Sequence, residues 1–232
     1  MRRLLIVTTL SLLAVVALGA GGTAVGARHQ KPLCVRYKCR TLAATAQIRV
    51  FQAAREESYV SSFARWLPSG RVTPLGDHFE PESGPSLGRF AIAGQFAAYA
   101  LVVYGKYNYE GAVWRMVRLN VKTGHRERAE DDRAEGSGAC LGGTDHLAPG
   151  ITDVAVTPKG TTAWVIGDRP YNPYQPNPTP FPTIYTVCAV SPASKEPRVV
   201  ASSPMIQAKS LAAIPGHVYW TEGSTPRSTA IP

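Results

Sequence analysis

The 232-residue sequence contains no Gly-x-Ser-x-Gly elbow, no phosphate-binding P-loop, no His-Glu-x-x-His pair and no EF-hand loop. That leaves no motif support for the hydrolases, nucleotide enzymes, zinc proteases and calcium sensors those signatures define. No cofactor is implied. Lys and Arg are numerous but form no block of the kind that marks nucleic-acid binding, so no nucleic-acid partner is expected. Acidic residues are few, 16 against 25 Lys and Arg. The four cysteines have neither CxxC nor His-x-x-x-His spacing around them, which removes the support for a zinc site. Beyond the first 27 residues, helical spacing of apolar residues is scarce.

What is present begins with an export signal over residues 1–27. Arg2 and Arg3 precede an uncharged run from Leu4 to Ala20, and small residues follow, ending Val25-Gly26-Ala27. Cleavage after Ala27 is expected to release a secreted or cell-surface chain. The rival is an uncleaved anchor, because the stretch from Leu4 to Ala27 is free of charge and long enough to span a bilayer, and membrane contact is expected only in that case. Removing the signal leaves 23 basic residues against 16 acidic, a mild excess that slightly favours anionic surfaces. In an oxidising compartment an even number of cysteines reads as disulfides. Of the three pairings, Cys34 with Cys39 and Cys140 with Cys188 is favoured. Residues 28–46 are then a disulfide-containing N-terminal segment and residues 47–232 the main domain.

The apolar residues of that domain fall in short β-branched and aromatic runs bounded by Gly and Pro, so the chain reads as all-β. Thirteen candidate strands start at Gln47 and end at Thr221. Two families of short turns alternate between them. One joins an Ala-rich strand to an aromatic one, as in "AIAGQFAAYA" around Gly94, "AVTPKGTTAW" around Gly160 and "AAIPGHVYW" around Gly216; the other leads into a basic or His residue, as in "WLPSGRV" around Gly70 and "LNVKTGHRER" around Gly124. Strict alternation is what four-stranded antiparallel units a to d produce when the a–b and c–d turns are short and the other connections can lengthen. On this count the first unit lacks strand a and the last lacks strands c and d.

Such units, together with "VYWTEGSTPRS" at Val218–Ser228, resemble the blades of secreted bacterial β-propellers of the TolB-like or WD-repeat kind. The WD dipeptide and GH signature of the latter are missing, and the glycine spacings exceed a usual blade. The resemblance implies a partial propeller, or one completed in a homo-oligomer, with a β-sandwich as the alternative.

In an a-b-c-d unit the b–c and d–a connections share one end. That end collects most of the acidic residues, including Asp77, Asp145 and Asp168, while Arg71, Lys122, His125, Lys159 and Lys195 go to the short-turn end. Two b–c connections stand out. Tyr107-Asn108-Tyr109 sits in one, and Tyr171-Asn172-Pro173-Tyr174 in the other, within the six-proline stretch "RPYNPYQPNPTPFP". Proline lowers the entropy a loop loses on binding, Tyr gives wide amphipathic contact area and Asn gives adaptable hydrogen bonds. Tyr107, Asn108, Tyr109, Tyr171, Asn172 and Tyr174 are therefore the predicted ligand-binding residues. The bland rival is a solvated insertion whose tyrosines pack back on the sheet. The Asp77-His78 and Asp145-His146 pairs are expected in d–a connections as surface turn residues, and no catalytic or metal-binding residue is assigned. The functional expectation is an exported, non-catalytic binding or scaffold protein that recognises a glycan or protein. The alternative is a secreted carbohydrate-active enzyme using carboxylates of the same face, which needs a pair about 5 to 10 Å apart.

Overall fold

The structure, a computed structural model, describes residues 34, 37–56, 59–79, 86–104, 112–129, 140, 150–168, 182–194 and 196–231. These residues form fifteen strands: β1 Lys38–Ala44, β2 Ile48–Glu56, β3 Tyr59–Trp66, β4 Val72–Phe79, β5 Ser86–Ala93, β6 Phe96–Tyr104, β7 Ala112–Asn120, β8 His125–Ala129, β9 Gly150–Val156, β10 Thr162–Asp168, β11 Ile184–Val190, β12 Arg198–Ser203, β13 Ala212–Ile214, β14 His217–Glu222 and β15 Thr225–Ala230. They build four antiparallel meanders in chain order. Sheet 1 is β1-β2-β3-β4, sheet 2 is β5-β6-β7-β8, sheet 3 is β9-β10-β11-β12 and sheet 4 is β13-β14-β15. The all-β class and the repeated four-stranded unit are as the sequence predicts.

Two strands correct the count. The first unit does have a strand a, because Lys38–Ala44 pairs with β2 from Lys38↔Ala54 to Ala44↔Arg49. The last unit does have a strand c, because Thr225–Ala230 pairs with β14 through a two-residue turn at Gly223 and Ser224. A third correction concerns Asp77 and His78. They lie in β4, opposite Ser61 and Val60, and not in a connection.

The sheets stack face to face, and the sequence shows why. In β6, Ala97 and Tyr99 face sheet 1, while Ala98 and Ala100 face sheet 3. In β10, Trp164 and Ile166 face sheet 2, while Ala163 and Val165 face sheet 4. A strand buried on both faces has no reason to alternate apolar with polar residues, and these two read as near-continuous apolar runs. The tryptophans sit between sheets: Trp66 in the layer shared by sheets 1 and 2, Trp114 and Trp164 between 2 and 3, and Trp220 between 3 and 4. Each fully buried aliphatic or aromatic side chain in these layers contributes roughly 1.5–3 kcal/mol.

The short-turn end locks neighbouring sheets. Gly94 and Gly160 both take positive φ, 56° and 91°, as tight turns require. A Cβ on Gly94 would lie 3.0 Å from Pro158 of the next sheet, and one on Gly160 would lie 3.1 Å from the Phe96 ring. The two a–b turns interlock, and a Cβ at either glycine would press on the neighbouring turn more tightly than ordinary van der Waals contact. Arginines add a second tie by donating to backbone carbonyls across each sheet boundary. Arg71 reaches Thr123 and Arg126 reaches Pro74 between sheets 1 and 2. Arg118 reaches Gly160 at 2.8 Å between sheets 2 and 3, and Arg198 reaches Ala230 at 2.6 Å between sheets 3 and 4.

Candidate functional site

The b–c connections lengthen in only two of the four sheets. In sheet 1 the pair Glu56↔Tyr59 closes β2 on β3, and in sheet 4 Glu222↔Thr225 closes β14 on β15. Sheet 2 leaves its ladder at Tyr104↔Ala112 and sheet 3 at Asp168↔Ile184, so the intervening chain springs from the same end of two sheets that share a core layer. The predicted ligand-binding residues Tyr107, Asn108, Tyr109, Tyr171, Asn172 and Tyr174 fall in those connections and lie outside the described residues. So do Asp145 and His146, and most of the acidic residues assigned to this end.

One connection at this end is tied to the core. Cys140, from the long segment between β8 and β9, is bonded to Cys188 in β11 with Cα atoms 5.7 Å apart, and Cys34 is bonded to Cys39 in β1 at 5.3 Å. No described cysteine is free. Cys188 and Cys140 are buried between sheets 2 and 3, where the Trp164 indole Nε1 donates to the Cys140 carbonyl at 3.0 Å. Cys188 lies four residues along β11 from Ile184, at the long-loop end of the β10–β11 ladder, so the bridge anchors Cys140 well inside the sheet. At the start of β9, Gly150 has φ 65° and lies against the Trp114 ring, where a Cβ would come within 2.0 Å of it.

Beside this end, sheet 1 carries a groove of about 410 Å³ lined by Lys38, Cys39, Arg40, Gln52, Ala54 and Val60. The register explains its composition. Lys38 faces Ala54 and Arg40 faces Gln52 across the β1–β2 ladder, and Ala54 faces Val60 across β2–β3. By alternation these side chains share the face that carries Val50 and Ala64 toward sheet 2. Arg40 Nη2 donates to Gln52 Oε1 at 3.1 Å, and neither Lys38 nor Arg40 forms an ion pair with a described residue. Sequence reading missed these two cations because it left residues 38–44 without a strand.

A smaller cavity of about 160 Å³ lies at the short-turn end, lined by Phe96, Arg118, Asn120, His125, Glu127 and Pro192. Its charges compensate one another. Arg118, with its side chain only 8% exposed, pairs with Glu127 through both Nε and Nη2, and His125 Nε2 stands 3.5 Å from the other Glu127 oxygen. A compensated pair whose remaining guanidinium nitrogen holds the next sheet's carbonyl joins sheets 2 and 3 and offers little to a ligand. Among the described residues, no group of three or more His, Cys, Asp or Glu could hold a metal ion.

No family model matches the chain, and no curated protein matches it. Among solved structures it is similar to a chain from a structural and mechanistic study of two prolyl endopeptidases and the role of inter-domain dynamics in their catalysis and specificity. The identity is 15% and the TM-score 0.34, over 81% of this chain and 33% of that one. The chain thus spans about a third of the length of that protein.

Proposed function

We propose that the chain is an exported, non-catalytic binding or scaffold protein of the TolB-like or WD-repeat propeller type, which recognises a glycan or protein at the cell surface through its long-loop end. The observation that carries this reading is the restriction of enlarged b–c connections to sheets 2 and 3. The two Tyr- and Asn-rich segments therefore start side by side on a rigid, doubly buried support, which is how binding loops are held on scaffolds. Two disulfides favour an oxidising compartment, in keeping with the export signal read in residues 1–27. The outer face of sheet 4, with Ile214 and Tyr219 exposed, is compatible with a homo-oligomer.

The test is to produce the exported chain under oxidising conditions, measure its binding to an array of neutral and charged polysaccharides and cell-wall fragments, and repeat the array with a Tyr107→Ala/Tyr171→Ala variant. Binding that drops at least tenfold in a variant with unchanged circular dichroism supports recognition by the b–c loops. A folded wild type that binds nothing on the array overturns the glycan reading, and equal binding by the variant overturns the site.

A further inference from the structure

We infer that the groove on sheet 1 is an anion subsite, which takes a carboxylate or phosphate group of an acidic cell-surface polymer. This rests on the reading of the long-loop end as the recognition face, since the lining residues Lys38, Ala54 and Val60 lie next to the Glu56↔Tyr59 end of the β2–β3 ladder. Three observations carry it. The first is a pair of cations on one face. Lys38 and Arg40 alternate along one strand and so point the same way, and neither forms an ion pair with a carboxylate whose side chain is described. The cavity at the short-turn end contrasts with this, because its arginine is paired with Glu127.

The second is orientation. Gln52 accepts from one guanidinium nitrogen of Arg40, which holds the group over the sheet and leaves further N–H donors for a two-point contact with an oxyanion. Lys38 supplies a compact charge beside it. The third is shape. The cations stand over an aliphatic floor of Ala54 and Val60 in a groove of about 410 Å³, large enough to seat a sugar ring together with its charged substituent. An edge strand often carries basic residues simply to discourage pairing with another chain. That role needs neither a groove nor a glutamine holding the guanidinium.

The experiment uses the full exported chain and four labelled oligomers of equal length: oligogalacturonate, its neutral oligogalactose counterpart, a phosphodiester-linked polyol and a neutral polyol. Fluorescence anisotropy is read for the wild type, for Lys38→Gln/Arg40→Gln, and for Lys122→Gln/Lys159→Gln, which removes the same charge from the short-turn end. The inference expects a charged probe to bind at least tenfold more tightly than its neutral counterpart, and expects that preference to vanish in Lys38→Gln/Arg40→Gln but to survive in Lys122→Gln/Lys159→Gln. Which charged probe shows it separates a carboxylate from a phosphate ligand. Equal loss in both charge variants reduces the effect to net charge and overturns the subsite, as does the absence of any preference for charge. The Tyr107→Ala/Tyr171→Ala variant separates the two ideas: if it keeps all binding while Lys38→Gln/Arg40→Gln loses the charge preference, the loop reading fails and the subsite stands.

Discussion

At the scale of single residues, Gly150 and Gly216 separate backbone strain from crowding. Gly150 has φ 65°, and a Cβ there would fall inside the Trp114 indole, which belongs to another sheet. Gly216 has φ 83°, and a Cβ there would meet nothing within 4 Å. Gly216→Ala should therefore cost about 1–2 kcal/mol, the left-handed penalty alone. Gly150→Ala should cost about 1–3 kcal/mol more, because the ring must also move in a packed layer. Chemical denaturation of both variants checks this, and equal losses would mean that the Trp114 contact constrains nothing. The two glycines also differ in how legible they were. Gly70, Gly94, Gly124, Gly160 and Gly216, each placed at a turn from its neighbours alone, all have φ between 56° and 91°. The constraint on Gly150 comes from a distant ring, and no local pattern announces it.

At the scale of elements, the strands that sequence reading found are those with an apolar pattern, and the two it missed have physical reasons for lacking one. β15 is an edge strand, Thr-Pro-Arg-Ser-Thr-Ala, exposed along nearly its whole length, so it has no buried side to mark. In β1 the register shifts between Thr41 and Ala43, which turns Leu42 and Ala43 to the same side and breaks the two-residue period. The same omission hid Lys38 and Arg40, while the Tyr and Asn residues of the b–c connections were legible from composition alone. The disulfides belong to this scale as well. Of the three pairings the sequence allows, the favoured one is observed, but nothing local in the sequence marks the burial of Cys140 between sheets 2 and 3. In the chain-entropy picture, closing the 48-residue separation of Cys140 and Cys188 contributes about 4 kcal/mol and the 5-residue separation of Cys34 and Cys39 about 2 kcal/mol. Replacing the first pair by alanines should therefore lower the unfolding free energy by about 2 kcal/mol more than replacing the second. Losses of equal size, measured by denaturant titration, would show that the buried bridge adds nothing beyond a local tether.

At the scale of the whole molecule, each main core layer of the described residues lies between two sheets successive in the chain, so stability divides by interface. The layer between sheets 2 and 3 combines the Cys140–Cys188 bridge, the bonded indole of Trp164 and the Arg118 tie to Gly160. The layer between sheets 3 and 4 is thinner. Sheet 4 has three strands, and the buried Trp220 Nε1 has no hydrogen-bond partner among the described residues. A buried donor left unpaired costs about 1–3 kcal/mol, which weakens this layer relative to one whose indole is bonded. Sheet 4 should accordingly open before the centre of the stack. Native-state hydrogen exchange should give the amides of β14 an opening free energy lower than those of β6 and β10 by on the order of 1–2 kcal/mol. Reduction of Cys140–Cys188 should narrow the gap by loosening the central layer alone. One common opening free energy across β6, β10 and β14 would instead show that the four sheets unfold as a single unit, with the arginine ties transmitting stability along the full stack.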